Sequence, residues 1–320
     1  MTPVLHTAFD VAAYTRVPRG RHRVDAGAVA SGGSTRPVPA AVDSGSSGAR
    51  GGATLSADLR MALRMLQRLE AGALGESRAM LATWTGNEAR VTAFLATWMV
   101  ERHWQARALR DLLEAGAARG LSADSRAFRA RSPRLAARAR RVHVDRIQPL
   151  LSPAWTALAG EAVTAGHMAR MAIQEASLQA SLLALAPRLD GEAQRVVHLL
   201  AERHAPAVDF FRAEAAARIT RSRREAWTAR TVLALASPLD PGGVTDPDAR
   251  AALRVIGVRA YDRVALHRAR FEITRLLPGP GLPDPLLRAA VGRGARSSAA
   301  AGSLATARRD AAAPTVGRGR

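Results

Sequence analysis

Apolar side chains recur at intervals of three and four residues from about residue 55 to residue 277, which is the spacing of helices that bury one face. The first such series is Leu59, Leu63, Leu66 and Leu69. Capping and stop residues predict the later helices over residues 87–115, 124–144, 153–186, 190–219, 222–236, 247–277 and 283–290. No sustained alternation of apolar and polar residues indicates a strand. The pattern therefore predicts an all-α protein, a helical bundle with long core helices and additional satellite helices.

Two segments at the ends of this helical region are rich in Gly, Ser, Pro and Ala and poor in large apolar residues. Neither buries enough surface to offset the entropy of ordering the chain. We therefore predict an N-terminal arm (residues 1–27), a disordered linker (28–54), a helical domain (55–291) and a basic disordered tail (292–320). Such a tail would bind polyanions without specificity and with a steep salt dependence.

The chain of 320 residues has no cysteine and no lysine, so its 47 basic residues are all arginine, and its formal net charge is +20. The lack of cysteine excludes disulfides, thiolate metal sites and cysteine nucleophiles. Arginine in place of lysine is typical of a GC-rich codon bias, which weakens any inference from charge to a nucleic-acid partner. No apolar run reaches the roughly 18 residues of a membrane span, and the first ten residues lack the pattern of a secretory signal. We expect a cytoplasmic protein.

Two of the long predicted helices each contain Glu-Arg-His, at residues 101–103 and 202–204. Helical carboxylates and histidines raise the question of a di-iron site, which uses Glu-x-x-His because residues three apart share a helix face. Glu-x-His places its two side chains about 200° apart around the helix, and no Glu-x-x-His occurs in the chain. Phosphate-binding glycine loops and Gly-x-Ser-x-Gly elbows are also missing. From the residues alone, polar groups on partly exposed helix faces are the favoured interpretation.

Several short segments nevertheless occur in a suggestive order. The first contains Trp98, Glu101, Ala108, Arg110 and Asp111. It is followed by Ile-Gln-Glu at residues 173–175, Phe-Phe-Arg at 210–212, and Tyr-Asp at 261–262 with a later histidine. In their order and approximate spacing along the chain, these segments resemble those of the soluble acyl-[acyl-carrier-protein] desaturases. The first segment of that family reads W-T-A-E-E-N-R-H-G-x-A-x-R-D. The resemblance implies a ferritin-like bundle, a homodimer and acyl carrier protein as a partner. An active member holds two iron ions and introduces a double bond into a carrier-bound fatty acyl chain.

The metal-ligand positions of that family are mostly changed in this chain. In place of its two Glu-x-x-His motifs stand, in order, Arg102, Gln105, His204 and Ala207. Glu175 is the only retained ligand position, and the first-helix glutamate falls near Ala71, with Glu70 beside it. One glutamate and a histidine do not supply the carboxylates that balance two metal ions. We therefore predict no cofactor and no catalytic residues, with two bound iron ions as the alternative.

An arginine at residue 102 would repel cations from such a site, and a buried Glu175 would be costly without a partner. We predict that Arg102 and Glu175 face each other in the bundle interior and form a buried ion pair where the metals would sit. The alternative is that Arg102 lies on the helix surface.

A second candidate site is a ridge of arginines on the predicted helix 124–144, spaced mostly three or four residues apart. It comprises Arg126, Arg129, Arg134, Arg138 and Arg141. One interpretation is a docking surface for an acidic partner, for which the resemblance implies acyl carrier protein. The other is a solvated face of an arginine-rich chain. Aromatic interleaving is limited to Phe128, so no stacking platform for nucleic acid is indicated.

Three functions follow from these observations. The first is a desaturase-like protein of fatty acid metabolism without a working di-iron centre, which binds a carrier protein, an acyl chain or another subunit. The second is an active acyl-carrier-protein desaturase, an oxidoreductase. The third is a basic helical protein that binds nucleic acid, with the resemblance fortuitous. The missing Glu-x-x-His motifs favour the first.

Overall fold

The computed structural model describes residues 7–17, 24, 55–117, 159–235, 239 and 246–284. All regular secondary structure in these ranges is helical, which confirms the predicted all-α class. The α-helices are α1 (Val11–Arg16), α2 (Ala57–Ala71), α3 (Ala73–Leu81), α4 (Ala89–Ala117), α5 (Val163–Leu185), α6 (Gly191–Arg221), α7 (Arg223–Leu235), α8 (Asp246–Ile256) and α9 (Ala260–Thr274). The predicted linker, the tail and the arginine ridge (Arg126 to Arg141) lie outside the described residues.

Helices α4, α6 and α7 lie within about two residues of their predicted bounds. The prediction of one continuous helix over 153–186 is wrong, because Gly160 has φ +54 in the left-handed region, a 3-10 turn follows at Gly160–Ala162, and α5 begins at Val163. The prediction of one helix over 247–277 is also wrong, because the chain leaves the helical path after Gly257 and divides into α8 and α9. Glycine after the last helical turn is a common helix terminator.

Two hydrophobic clusters fill the bundle from end to end. The first joins α2 and α8 to the C-terminal half of α4, the C-terminal half of α5 and the N-terminal half of α6. The second joins α1, α3 and α7 to the opposite halves of α4, α5 and α6. Helices α4 and α5 therefore run in the same direction, from the second cluster to the first, and α6 runs back beside α5.

The connection between α5 and α6 is short, a 3-10 turn at Ala186–Arg188 followed by two residues, as expected for an antiparallel pair. The connection between α4 and α5 comprises residues 118–162, a length sufficient to return to the starting end of the bundle. Among the described helices, none is long and apolar enough to cross a membrane. The two clusters meet at a layer of polar side chains, which is the candidate site.

Candidate functional site

Four charged side chains meet in the middle of the bundle, and each comes from a different helix. We call Glu70 of α2, Arg102 of α4, Glu175 of α5 and His204 of α6 the buried tetrad. Each is at most 1% exposed. The Nη1 atom of Arg102 lies 3.0 Å from Glu175 Oε1, and its Nε lies 2.9 Å from Glu70 Oε2. The predicted buried pair of Arg102 and Glu175 is confirmed, but as part of a larger arrangement.

His204 closes the tetrad into a ring. Its Nδ1 lies 2.7 Å from Glu175 Oε2 and its Nε2 lies 2.8 Å from Glu70 Oε1. Each carboxylate therefore places one oxygen on the guanidinium and the other on the imidazole. Because a carboxylate oxygen only accepts hydrogen bonds, both ring nitrogens must donate, which requires the doubly protonated imidazolium. Two negative and two positive groups then leave the tetrad with no net charge.

The electrostatics of the tetrad support this protonation state. Burial would lower the pKa of His204, but Glu70 and Glu175 outweigh it and raise that pKa to about 9. Burial would raise the pKa of Glu175, but Arg102 and His204 outweigh it and hold that pKa below its ordinary value. Burial likewise opposes the charge of Arg102, and the two carboxylates raise its pKa instead. Each charge thus depends on its neighbours, because none has access to water.

Neighbouring groups complete the cage around the guanidinium of Arg102. Its Nη2 donates to the backbone oxygen of Leu69, 2.9 Å away, at the end of α2. The Cζ atom lies 5.5 Å from the centroid of the Trp98 ring, one helical turn earlier on α4. The arginine is therefore held from three sides, which fixes its orientation towards the two carboxylates.

Two of the residues predicted to line the site lie nearby but outside the ring. Gln105 is 2% exposed on α4, and its Oε1 finds no hydrogen-bond partner among the described residues. Ala207 is 3% exposed and packs in the second hydrophobic cluster. Both are buried, one helical turn after Arg102 and His204 respectively, and neither carries a charge.

The donor set does not fit a pair of iron ions. Both carboxylates and both imidazole nitrogens are already engaged with one another or with Arg102, and the guanidinium occupies the space between the two carboxylates. Across the described residues, no group of three or more His, Asp or Glu side chains is arranged to hold a metal ion. The four side chains of the tetrad instead compensate one another's charges within the core.

The chain matches no protein-family model, no curated protein and no solved structure.

The sequence did not predict Glu70 as a member of the site, because the resemblance puts the first-helix glutamate near Ala71. A signal was present. Glu70 continues the apolar series of α2, four residues after Leu66 and seven after Leu63, and both leucines are fully buried. A carboxylate on the buried face of an amphipathic helix needs a partner inside the protein.

A second ionic cluster lies farther along the bundle, towards the C-terminal end of α6. We call Glu88, Arg90, Glu214 and Arg218 the outer network. The Nη1 of Arg218 donates to Glu214 Oε2 at 2.8 Å, and its Nη2 donates to Glu88. Arg90 Nε donates to Glu214 Oε1 at 3.1 Å. Glu88 and Arg90 are 30% and 23% exposed in their side chains, so this network reaches the surface.

Proposed function

We propose that this chain is a desaturase-like protein of ferritin-like architecture in which the buried tetrad stands in place of a metal pair. On this proposal the protein acts by binding an acyl carrier protein, an acyl chain or another subunit, and it does not oxidise a fatty acyl chain. On this proposal the protein takes part in fatty acid metabolism, as the resemblance to the desaturases implies.

The observation that carries the proposal is the set of helix positions that supply the four charged residues. Ferritin-like di-iron bundles use one Glu from each of two helices and one Glu-x-x-His from each of the other two. By the resemblance, Glu175 stands at one single-Glu position, and the other falls near Ala71, with Glu70 beside it. The two motif positions are held by Arg102 with Gln105 and by His204 with Ala207. Four of these residues meet at one point, as a shared ancestral site would require.

The direction of the helices gives further support. Ferritin-like bundles pair their helices by short connections and join the two pairs by one long crossover. The long connection between α4 and α5, and the parallel course of these two helices, fit that scheme. The short α5–α6 connection fits the second antiparallel pair.

Metal content tests the absence of a working centre. Purified protein from iron-supplemented medium, analysed by plasma mass spectrometry, should contain far less than one iron ion per chain. Two iron ions per chain would contradict the proposal and favour the active desaturase.

A restored ligand set tests the architecture itself. The quadruple variant Arg102→Glu, Gln105→His, His204→Glu and Ala207→His would offer four glutamates and two histidines, counting Glu70 and Glu175. We expect it to bind two Fe²⁺ or Co²⁺ ions per chain, with d–d absorption in the cobalt form. The matched control keeps Arg102 and changes only the other three positions, and should bind no metal pair. A quadruple variant with native helical circular dichroism and no metal binding would argue against the ferritin-like arrangement.

Partner binding tests the functional part. We expect acyl carrier protein, titrated with the full chain in calorimetry, to bind at moderate salt, and replacement of Arg126, Arg134 and Arg141 by alanine to weaken binding. Sedimentation analysis should find a homodimer. Salt-sensitive binding of DNA without affinity for acyl carrier protein would favour the nucleic-acid alternative.

A further inference from the structure

Helix α9 presents one row of large side chains to solvent. Its apolar members, Tyr261, Val264 and Phe271, are between 50% and 65% exposed, and Arg268 stands between the last two with its side chain largely in solvent. We call these four residues the α9 seam, and they lie within an arc of about 80° around the helix. The opposite face packs into the bundle through the buried residues Leu266, Ala269 and Ile273.

Exposed apolar side chains are concentrated at this helix. The described residues include eleven large apolar side chains that face solvent, and no other described helix has more than two of them. Four belong to α9 or to the turn before it, namely Val258, Tyr261, Val264 and Phe271. Single exposed apolar residues are ordinary on a protein surface, but a contiguous row indicates a surface that another molecule covers.

The spacing of the seam is that of helices which pair with other helices. Successive seam residues are three, four and three positions apart, as are the a and d positions of a heptad pattern. The same intervals are read in either direction along the helix, and an aromatic ring stands at each end. A face with this symmetry is complementary to its own copy under a twofold rotation, which is the condition for an isologous dimer interface.

An antiparallel pair of α9 helices, with the twofold axis at the level of Leu266, brings apolar groups together. Tyr261 then faces the partner's Phe271, since each lies five residues from the axis, and the symmetry produces this contact twice. Val264 faces the partner's Arg268, whose aliphatic stem can cover the valine while the guanidinium reaches water. A parallel pair would instead place the two Arg268 side chains against each other. The antiparallel arrangement is therefore the one that the seam favours.

The charges beside the seam are complementary in the same arrangement. Glu272 lies six residues after the level of the axis and Arg259 lies seven before it, so Glu272 comes to nearly the same height as the partner's Arg259. The Cζ atom of Arg259 lies 4.3 Å from the centroid of the Tyr261 ring, which brings its guanidinium to the side of the seam on which Glu272 stands. Two ion pairs between the copies become possible, one on each side of the axis.

Each arginine beside the seam also has a carboxylate within its own chain. Arg259 Nε lies 2.8 Å from Asp262 Oδ2. Glu272 lies 3.6 Å from Arg268 and 3.3 Å from Arg275. Two copies can therefore meet here without an unpaired charge, although the chain carries a net charge of +20. Since this face needs no external carboxylates, a second copy fits it better than an acidic partner.

We propose that the α9 seam is the face through which two copies of this chain associate, as an antiparallel helix pair with twofold symmetry. This inference gives a surface to the homodimer that the proposed function includes, and it rests on that part of the proposed function alone. A standard interface buries roughly 800 Å² per partner, of which one helix face supplies only a part. We therefore expect a weak dimer, with a dissociation constant of about 1–100 µM.

Sedimentation equilibrium of the full chain, from well below to well above this constant, tests the interface. We expect Val264→Arg to raise the dissociation constant at least tenfold, because the new guanidinium faces the partner's Arg268. The matched control is Val100→Arg on α4, where the valine is also exposed, and it should dimerise like the unaltered chain. Adding Arg268→Glu to Val264→Arg should restore a dissociation constant close to that of the unaltered chain, because opposite charges then face each other.

The absence of native cysteine allows a second test by disulfide trapping. Ala265 is exposed beside the seam, one residue from the axis, and Ala260 is exposed on the same helix but six residues from the axis. Under mild oxidation, Ala265→Cys should form a covalent dimer at least tenfold faster than Ala260→Cys. Equal rates for the two variants would overturn the antiparallel pairing.

The outcomes separate this inference from the proposed function. A dimer that Val264→Arg does not weaken would overturn the α9 interface and leave the homodimer in place. A double variant that does not recover, with native helical circular dichroism, would overturn the antiparallel register. A chain that stays monomeric at every concentration would overturn both the interface and the homodimer, whereas the iron content tests the rest of the proposed function separately.

Discussion

The buried tetrad and the outer network contain the same kinds of charge but differ in how they are solvated. In the tetrad, Glu175 is fully buried and has its pKa lowered by Arg102 and His204. In the outer network, Glu88 is partly exposed, and burial raises its pKa although Arg218 donates to it. The carboxylate with less access to water is thus the one whose charge is better stabilised. Complete mutual pairing matters more here than exposure.

The two clusters also differ in how many arginines serve each carboxylate. In the outer network Glu214 is approached by both Arg90 and Arg218, so either arginine is backed by the other. In the tetrad the single guanidinium of Arg102 serves both carboxylates. Loss of Arg102 therefore leaves a charge imbalance that no neighbour corrects.

The largest effect is expected for Arg102→Met. Removing the guanidinium leaves two buried carboxylates with one imidazolium, and breaking a buried ion pair typically costs 3–5 kcal/mol. Urea denaturation followed by circular dichroism at pH 7 should give a free energy of unfolding lower by about 4 kcal/mol. A loss under 1 kcal/mol would mean that the tetrad does not depend on this charge.

The next effect is expected for His204→Gln, and it should depend on pH. Because the pKa of His204 is raised from its ordinary value near 6.5 to about 9, its stabilisation is complete below pH 6.5 and is lost as the pH rises through 9. The shift corresponds to roughly 3 kcal/mol.

The free energy of unfolding of the unaltered chain should therefore fall between pH 6.5 and 9.5, and that of His204→Gln should lack this fall. The lowered pKa of Glu175 adds an acidic limit, since its stabilisation is present above about pH 4.5 and is lost at lower pH. Parallel pH profiles for the two chains would contradict the imidazolium assignment.

A smaller effect is expected for Arg218→Met in the outer network. Arg90 still compensates Glu214, and Glu88 can turn to water, so the loss should be about 1–2 kcal/mol. The same urea titration measures it. A loss as large as that of Arg102→Met would remove the distinction between the two networks.

The smallest effect is expected for Glu88→Gln, under about 1 kcal/mol at pH 7. Because burial raises the pKa of Glu88, its ionisation disfavours the folded state, and that cost appears as the pH rises through the ordinary range of a carboxyl and above. The variant should lack this cost, so its stability should decline less than that of the unaltered chain between pH 4.5 and 7. An unchanged slope would contradict the raised pKa.

Helix periodicity predicted the core helices because their buried faces are nearly continuous. It failed at Gly160 and Gly257, where a glycine interrupts the helix, since the 3.6-residue pattern of apolar residues can continue across such a break. It also gave no account of α1, whose six residues are too few to establish a period. The packing of α1 depends on contacts with distant residues that local sequence does not encode.

The ion pair of Arg102 and Glu175 could be predicted because a buried charge requires a partner. The ring could not, since it depends on how α2 and α6 pack against α4 and α5. His204 follows the buried residues Val197, Leu200 and Ala201 on α6, so its burial was foreseeable from periodicity. Its double protonation depends on two carboxylates from other helices and therefore on the tertiary structure.

The polar layer between the two hydrophobic clusters has a consequence for how the helices align. Alternative packings of apolar helix faces can differ by a shift of one helical turn, about 5.4 Å. With the tetrad in place, such a slip in any one of the four helices would bury at least one unpaired charge. We therefore expect the tetrad to fix the register of the four helices, because it disfavours misaligned packings more than it stabilises the native one.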